Sequence, residues 1–460
     1  MSYNLPPGLK YPLHFYANKP WVKLGQPILL FEHLLRTYGN IAHYKFLGTS
    51  IIFVNDPEYI REILINQAAS FVKERTVRRM KILLGEGLIT SDDPIHARNR
   101  KLAAPAFHRQ RIAAYGDQIA AIADHAASQW QPGEVIDVSG AMMKLALEIV
   151  ARTLFDTEVT PEIRSINDDV NAIMDLYNFI VAMPALERYV HWPLPGLIKF
   201  RRSRERLNRV VDAIIHKRRQ EMSAEGGAAG RGDVLSMLIA SRYESAPGAA
   251  APEGMSDVQV RDEVLTIFLA GYETVANALA WTWYCLSQNP EVEATLHAEL
   301  DAVLGSRVPT LADYPSLRYT EQVFAEAMRL YPPAWAMGRM STKDVTLGPY
   351  CIPPGAHFFF SQYVMHRTET YFPAPLRFDP SRHTPDAKAG RPKFAYFPFG
   401  GGGRQCIGEG FAWMEGVLTI ATIASRWRLR YAGSEPPVPQ AKITLRPSGP
   451  MPMQVTLRHP

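Results

Sequence analysis

The chain has 460 residues, 47% of them hydrophobic and 21% charged, an ordinary globular balance with ample apolar material for a large core. Its net charge of +5 comes from basic residues scattered along the sequence, a pattern that gives nucleic-acid binding no support. Three cysteines, Cys285, Cys351 and Cys406, form no paired framework and fit a reducing compartment. The opening "MSYNLPPGLKYPLHFY" has no apolar signal core or anchor, so a soluble cytoplasmic location is expected.

In chain order, "IAHYKFLG" (Ile41 to Gly48) and "IIFV" (Ile51 to Val54) predict a small antiparallel pair. Asp56 and Pro57 then supply the cap and first turn of a helix. From Ile95 to Asn289 the apolar spacing is mostly helical. Two Ala/Gly/Ser/Pro-rich stretches, Met222 to Asp233 and Glu244 to Ser256, read as surface loops around one short helix, so no linker divides the chain. Leu265 to Leu286 passes a crude transmembrane test by length and composition. Glu273 sits in its middle, however, and Ser256 with Gln259 makes a capping box before it. The better reading is a long helix crossing a soluble interior. Short strand signals return from Val345 to Gln362, followed by a Pro-rich stretch, a glycine loop, a helix from Cys406 and a strand-like tail. The fold class is mainly α with a minor, discontinuous β part.

The stretch "FPFGGGGRQCIGEGF" (Phe397 to Phe411) lacks the Gly-Lys-Ser/Thr ending of a phosphate loop and the spacing of a dinucleotide fingerprint. It places the Cys406 thiol at the start of a helical run, where free N–H groups favour a thiolate. The glycines, Gly408 included, read as clearing space for a large flat ligand. One cysteine cannot build a tetrahedral zinc site, but one thiolate can hold iron when a macrocycle supplies the other ligands. That points to haem, against the alternative of a buried free cysteine in a glycine turn.

"FPFGGGGRQCIG" resembles the haem-binding loop of the cytochrome P450 family of haem-thiolate monooxygenases, with Phe399 at the matching upstream position. "AGYET" (Ala270 to Thr274), "EAMR" (Glu326 to Arg329), "FDPSR" (Phe378 to Arg382) and "HARNR" (His96 to Arg100) resemble further marks of that family, in its order. The resemblance implies a single cytochrome P450 domain over residues 1–460. Its helix-rich part would be residues 90–330 and 406–428, and its small antiparallel β region residues 35–70, 310–400 and the tail. Haem b would lie between the long central helix and the cysteine loop, with Cys406 as axial ligand.

Site residues follow from the same resemblance. His96, Arg100, Arg339 and Arg404 match propionate-binding positions, and Phe399 and Gly408 line the cofactor. Glu326 and Arg329, one helical turn apart on one face, would form a bidentate pair joined by Arg382 as a structural cluster beneath the loop. Glu273 would deliver protons and Thr274 would hold dioxygen and its water. Gly271 costs a helix interior about 1 kcal/mol relative to alanine and suggests room for a ligand beside them. Val275 and Ile95 depart from residues common in the family.

Leu88, Ile89, Phe268, Ala270, Ala334, Trp335, Met337 and Met451 match substrate-facing positions, all apolar, and imply a fatty-acid, terpenoid or carotenoid-like substrate. Leu176 to Phe200 resembles a mobile lid. No flavin or nicotinamide fingerprint follows Cys406, so electrons are expected from a separate ferredoxin or flavodoxin with its reductase, docking near Arg98, Lys101 and Arg404. A monomer without an integral membrane segment is expected. Two competing readings are a haem-thiolate isomerase, dehydratase or peroxygenase, and a haem sensor or sequestering protein. The Glu273–Thr274 pair argues against the first, and the second, which would need the thiolate but not that pair, would be rejected by turnover with a surrogate electron donor.

Overall fold

The computed structural model describes residues 3–23, 26–160, 195–224, 232–241 and 254–458. Most of the expected loops at Met222 to Asp233 and Glu244 to Ser256, and residues 176–194 of the expected lid, lie outside them. The chain forms two compact units. The first comprises Met1–Glu74, Ala123–Met143 and Thr274–Pro460, and the second Arg75–Ile122 and Lys144–Glu273.

In chain order, helix α1 (Pro27–Tyr38) precedes a hairpin of β1 (Ile41–Phe46) and β2 (Thr49–Val54), then helix α2 (Pro57–Arg61) and strand β3 (Phe71–Lys73). Helix α3 (Ile95–Ala103), strand β4 (Val135–Asp137) and helices α4 (Val138–Thr153), α5 (Pro195–Ala224) and α6 (Val234–Ala240) lead to α7 (Asp257–Gln288). Helices α8 (Pro290–Leu304) and α9 (Arg318–Leu330) follow, then strands β5 (Met337–Ser341), β6 (Val345–Leu347), β7 (Tyr350–Ile352) and β8 (His357–Phe360). Helix α10 (Glu409–Arg426) and strands β9 (Trp427–Tyr431), β10 (Pro439–Ala441), β11 (Leu445–Pro447) and β12 (Pro452–Leu457) complete the chain.

In the first unit the hairpin turns at Leu47 and Gly48, both with positive φ (46° and 77°). Gly48 suits that geometry, whereas Leu47 carries a strain of about 1–2 kcal/mol. Asp56 caps α2 as its sequence suggests, accepting from the N–H groups of Glu58 (2.9 Å) and Tyr59 (3.1 Å). The largest sheet runs β1-β2-β8-β5-β3, antiparallel except where β2 and β8, from distant parts of the chain, pair in parallel. One face packs on Ile52, Val54, Ile60, Phe358, Phe360 and Phe397, the other on Leu34, Ala42, Tyr44 and Phe53. This alternation brings Phe397, the first residue of the glycine stretch, into the sheet's own core.

The second unit is held around Arg218 of α5, whose head is 4% exposed. Its guanidinium pairs with Asp233 (2.6 Å) and donates to the carbonyls of Phe155 (3.0 Å) and Asp156 (3.1 Å). A buried guanidinium is tolerated only when its donors are met in this way. The long helix α7 begins with the expected capping box: Ser256 N–H donates to Gln259 Oε1 (2.9 Å), and Gln259 N–H to Ser256 Oγ (3.3 Å). It is long and apolar enough to cross a bilayer, but 83% of its most apolar window is buried within the protein, as in a core helix.

Helix α10 carries an unusual interior group. Glu415 is wholly buried, and neither carboxyl oxygen has a hydrogen-bond partner among the described residues. Burial pushes its carboxyl well above the usual 4.5, so it is protonated in the folded protein. An unfolded chain releases that proton once pH exceeds 4.5, so stability falls as pH rises through this range. Glu415→Gln has no proton to lose. Its unfolding midpoint, followed by circular dichroism, is therefore expected to gain on wild type progressively as pH rises above 4.5, whereas a pH-independent gap contradicts a protonated Glu415.

Candidate active site

The cysteine loop is closed by its own backbone. Gly400 N–H donates to Phe397 O (2.9 Å), and Cys406 N–H to Phe399 O (2.9 Å). The second bond tethers Cys406 outside the helix, so α10 starts at Glu409 with Gly408 as its cap, later than the sequence suggests. Gly400 and Gly402 adopt φ of 73° and 68°, the left-handed region that favours glycine. A Cβ on Gly402 would stand 2.1 Å from the Leu64 carbonyl oxygen, and one on Gly401 2.5 Å from the Phe394 ring. Those glycines serve the loop's own turns and packing rather than a ligand's approach, and only Gly403 faces open space. This corrects the reading of the whole run as cleared for a cofactor.

Of the three cysteines Cys406 alone is exposed. Cys285 is buried and its thiol pushed up by desolvation, so it is not a thiolate donor. No group of three or more His, Cys, Asp or Glu among the described residues could hold a metal ion. A lone accessible sulfur suits a metal whose remaining ligands come from a macrocycle, so the residues present fit haem.

Beneath the loop lies a buried ionic network. Arg329 Nε and Nη2 donate to the two Glu326 oxygens (2.7 and 2.8 Å), both side chains having no exposure. The remaining Arg329 donors reach the carbonyls of His366 (2.8 Å), Pro375 (2.8 Å) and Arg377 (3.1 Å). Glu326 also accepts from Asp379 N–H (2.9 Å), and the His383 Nε2 lies 2.9 Å from it. Arg382 Nε stands 3.5 Å from the same carboxylate and its head donates to the Pro373 carbonyl (2.6 Å). Burial would raise the Glu326 carboxyl, but the Arg329 and His383 hydrogen bonds bring it below its usual value, so it stays ionised. From His366 the network reaches the loop directly. Phe397 N–H donates to His366 Nε2 (3.0 Å), which can accept because burial, with Arg329 nearby, keeps that imidazole neutral.

Elsewhere in the first unit, Met337 lies against Gly400, where an added Cβ would stand 3.1 Å from its Cε. Trp335 is anchored by its indole N–H on the Lys442 carbonyl (2.7 Å). Ala334 and Arg339 are partly buried, Arg339 within β5. Met451 is fully buried, its backbone bonded to Asp137 and Val138. The Phe399 ring packs on Trp413 (centroids 5.7 Å apart), which in turn meets Phe324 of α9 edge-on at 5.7 Å. Arg404, Gly408 and Thr274 are partly buried.

In the second unit Leu88 is buried, in a loop held on the start of α7, and Ile89 beside it is half-buried. Leu88 N–H donates to Glu263 Oε2 (3.1 Å) and Asn99 of α3 to Glu263 Oε1 (2.8 Å), while Glu86 N–H donates to Asp262 (2.9 Å). Glu263 and Asn99 were not singled out from sequence, where a carboxylate in a charged helical lead-in looks solvated. His96 is buried with its Nδ1 3.5 Å from Asp93, and Arg100 is partly buried. Ala270 is partly exposed, whereas Phe268 packs into the interior against Phe155 (5.6 Å) and Tyr272 (5.9 Å). Glu273 is 6% exposed. A Cβ on Gly271 would lie 3.2 Å from Val150 of α4, so this glycine serves a close helix contact rather than a ligand space.

An exposed thiol in a glycine loop, backed by a buried Glu–Arg pair, suits a haem-thiolate protein. The family model for cytochrome P450 matches residues 6–454, and the chain belongs to that family. Cyclooctatin synthase of Streptomyces melanosporofaciens is 37% identical over 91% of this chain and 88% of its own. Pentalenene oxygenase of Streptomyces avermitilis is 32% identical over 96% and 95%. The solved cytochrome P450DA haem domain superimposes with a TM-score of 0.85 at 24% identity, covering 100% of this chain and 99% of its own. The chain is a monooxygenase whose cofactor is haem b on an axial cysteine thiolate.

Removing one partner of a buried pair while leaving the other charged costs about 3–5 kcal/mol. Glu326→Gln is therefore expected to lose most of the chain's stability to denaturant and to purify with little haem. A variant with wild-type haem content and midpoint would show that the network does not hold the loop.

Proposed function

We propose that this enzyme hydroxylates a terpenoid hydrocarbon or alcohol, using Cys406 as the haem ligand and electrons from a separate ferredoxin or flavodoxin. The observation that carries the chemistry is the Glu273–Thr274 pair on α7, a buried carboxyl beside a hydroxyl in a long helix whose most apolar window is 83% buried. An acid next to an alcohol in a buried helix is the pairing that a proton relay uses. When bound, haem b supplies dioxygen activation and oxygen-atom transfer. Glu273 holds and delivers a proton, and the Thr274 hydroxyl positions the water through which that proton passes. Cys406 supplies negative charge through its sulfur. By the family resemblance His96, Arg100, Arg339 and Arg404 would bind the propionates and Phe399 would line the cofactor, its ring steadied by Trp413.

The substrate class rests on two supports. The expected pocket positions Leu88, Ile89, Ala270, Ala334, Trp335 and Met337 carry no charge, so binding selects for apolar area. Relatives named cyclooctat-9-en-7-ol 5-monooxygenase and pentalenene oxygenase, at 35% and 32% identity, carry terpenoid substrates in their names. The exposed cations Arg98 and Lys101 on α3 suit an acidic electron donor. We place the enzyme in the cytoplasm as a monomer whose two units act as a single domain.

Purified holoenzyme titrated with sesquiterpene and diterpene alcohols, and separately with fatty acids, tests the substrate class. A spin-state change at micromolar terpenoid but not fatty acid is expected, and the reverse preference overturns it. With a surrogate ferredoxin and reductase, Thr274→Ala is expected to keep consuming electrons while product per electron falls about tenfold or more and peroxide rises. Unchanged coupling would remove Thr274 from the proton path.

A further inference from the structure

The loop before α3 lies directly on the first turns of α7, and two glycines allow it to. Gly85 has a φ of 56°, and a Cβ there would stand 2.1 Å from the Asp262 carboxyl. One on Gly87 would stand 2.0 Å from Thr266 Oγ1 and 2.7 Å from the Asp262 carbonyl oxygen. Backbone this close to a helix must find partners for its polar groups there. Glu86 N–H donates to Asp262 (2.9 Å) and Leu88 N–H to Glu263 Oε2 (3.1 Å). The loop is also braced from within. Thr90 Oγ1 donates to the carbonyls of Gly85 (2.6 Å) and Gly87 (3.1 Å), and Ser91 Oγ to that of Gly87 (2.9 Å). Thr90 and Ser91 are wholly buried, so the loop is a compact piece whose position depends on where it is attached.

Of the two attachments Glu263 is the deeper. It has no exposure, and while Oε2 meets Leu88, Oε1 accepts from Asn99 Nδ2 of α3 (2.8 Å). Asn99 is itself buried, and its amide also reaches the Glu86 carbonyl (3.5 Å). A wholly buried acid persists where its oxygens are met, and these are met from two separate segments. One side chain thus ties α3 and the loop to α7, the helix that carries Glu273 about 15 Å further along.

We propose that Glu263 is a positioning residue for the substrate: by holding the Leu88 N–H and Asn99 it sets where Leu88 and Ile89 stand relative to α7, and so which apolar ligands are accepted. This rests on the reading of Leu88 and Ile89 as substrate-facing. Leu88 is buried and Ile89 half-buried, so moving their backbone moves apolar surface that a ligand has to match. Glu263 acts through the loop and touches no reacting atom.

Three variants of the holoenzyme test this. Glu263→Leu keeps comparable bulk and removes both acceptors. Glu263→Gln is the conservative counterpart, because Asn99 can turn its amide over, leaving an oxygen for Leu88 and a donor for Asn99. Gly87→Ala pushes the loop off α7 with Glu263 intact, and serves if Glu263→Leu does not fold. Hydrogen exchange at the Leu88 amide reads the attachment. Spin-state titrations with geranylgeraniol and with palmitic acid read ligand fit, and imidazole, a small ligand that binds iron directly, reads access to the haem.

In Glu263→Leu and Gly87→Ala, exchange at Leu88 is expected to quicken at least about tenfold, and the dissociation constant of the ligand that wild type prefers to rise about tenfold, with imidazole within about twofold. Glu263→Gln is expected to stay within about threefold of wild type throughout. Unchanged exchange, faster exchange with unchanged ligand affinity, an equal loss for imidazole, or a Gln variant as impaired as the Leu variant would each overturn the proposal. A wild type that prefers palmitic acid overturns the terpenoid reading alone, since the same comparison then runs on palmitic acid. A wild type that responds to neither ligand overturns both.

Discussion

The Glu326 carboxylate is the point on which the first unit's site depends. It lies without solvent among Arg329, His383 and the Asp379 N–H, so its charge is tolerable only while all of them stay in place. Arg329 carries the constraint onward through three carbonyls, one of them that of His366, and the His366 ring receives the Phe397 N–H at the head of the cysteine loop. Three segments far apart in sequence are thereby fixed to one helix. The position of Cys406 inherits that rigidity through the Phe399 carbonyl.

A second constraint acts on the opposite kind of chemistry. Helix α7 must be apolar enough to be buried and still carry Glu273, and it does so with its other charged residues gathered at the start. There Asp262 and Glu263 bind the backbone of the loop that contains Leu88. The acids that look like ordinary helix solvation therefore hold the backbone of the loop that contains Leu88.

Much of this was legible in the sequence because it is local. The Asp56 cap, the Ser256–Gln259 box and the hairpin at Ile41 to Val54 are written within a few residues, and the structure has each of them. The Glu326–Arg329 pair was picked out by the family resemblance, since one helical turn alone does not separate a buried pair from a solvated one. What escaped depends on tertiary contact: His383, His366 and Trp413 carry no local sign of the partners they meet. The glycines misled for a related reason. Gly271 and Gly402 do mark close approach, but the approaching atoms are Val150 and the Leu64 carbonyl, which belong to the protein.

The direct measurement is the absorption spectrum of the reduced carbon-monoxide adduct of Cys406→Ser. If the Cys406 sulfur is the axial donor, the substituted protein keeps its fold by circular dichroism, because the bond from the residue-406 N–H to the Phe399 carbonyl does not involve the sulfur, and loses the thiolate-type band. A variant that retained the wild-type band would contradict the assignment of that sulfur and the account of the loop built around it.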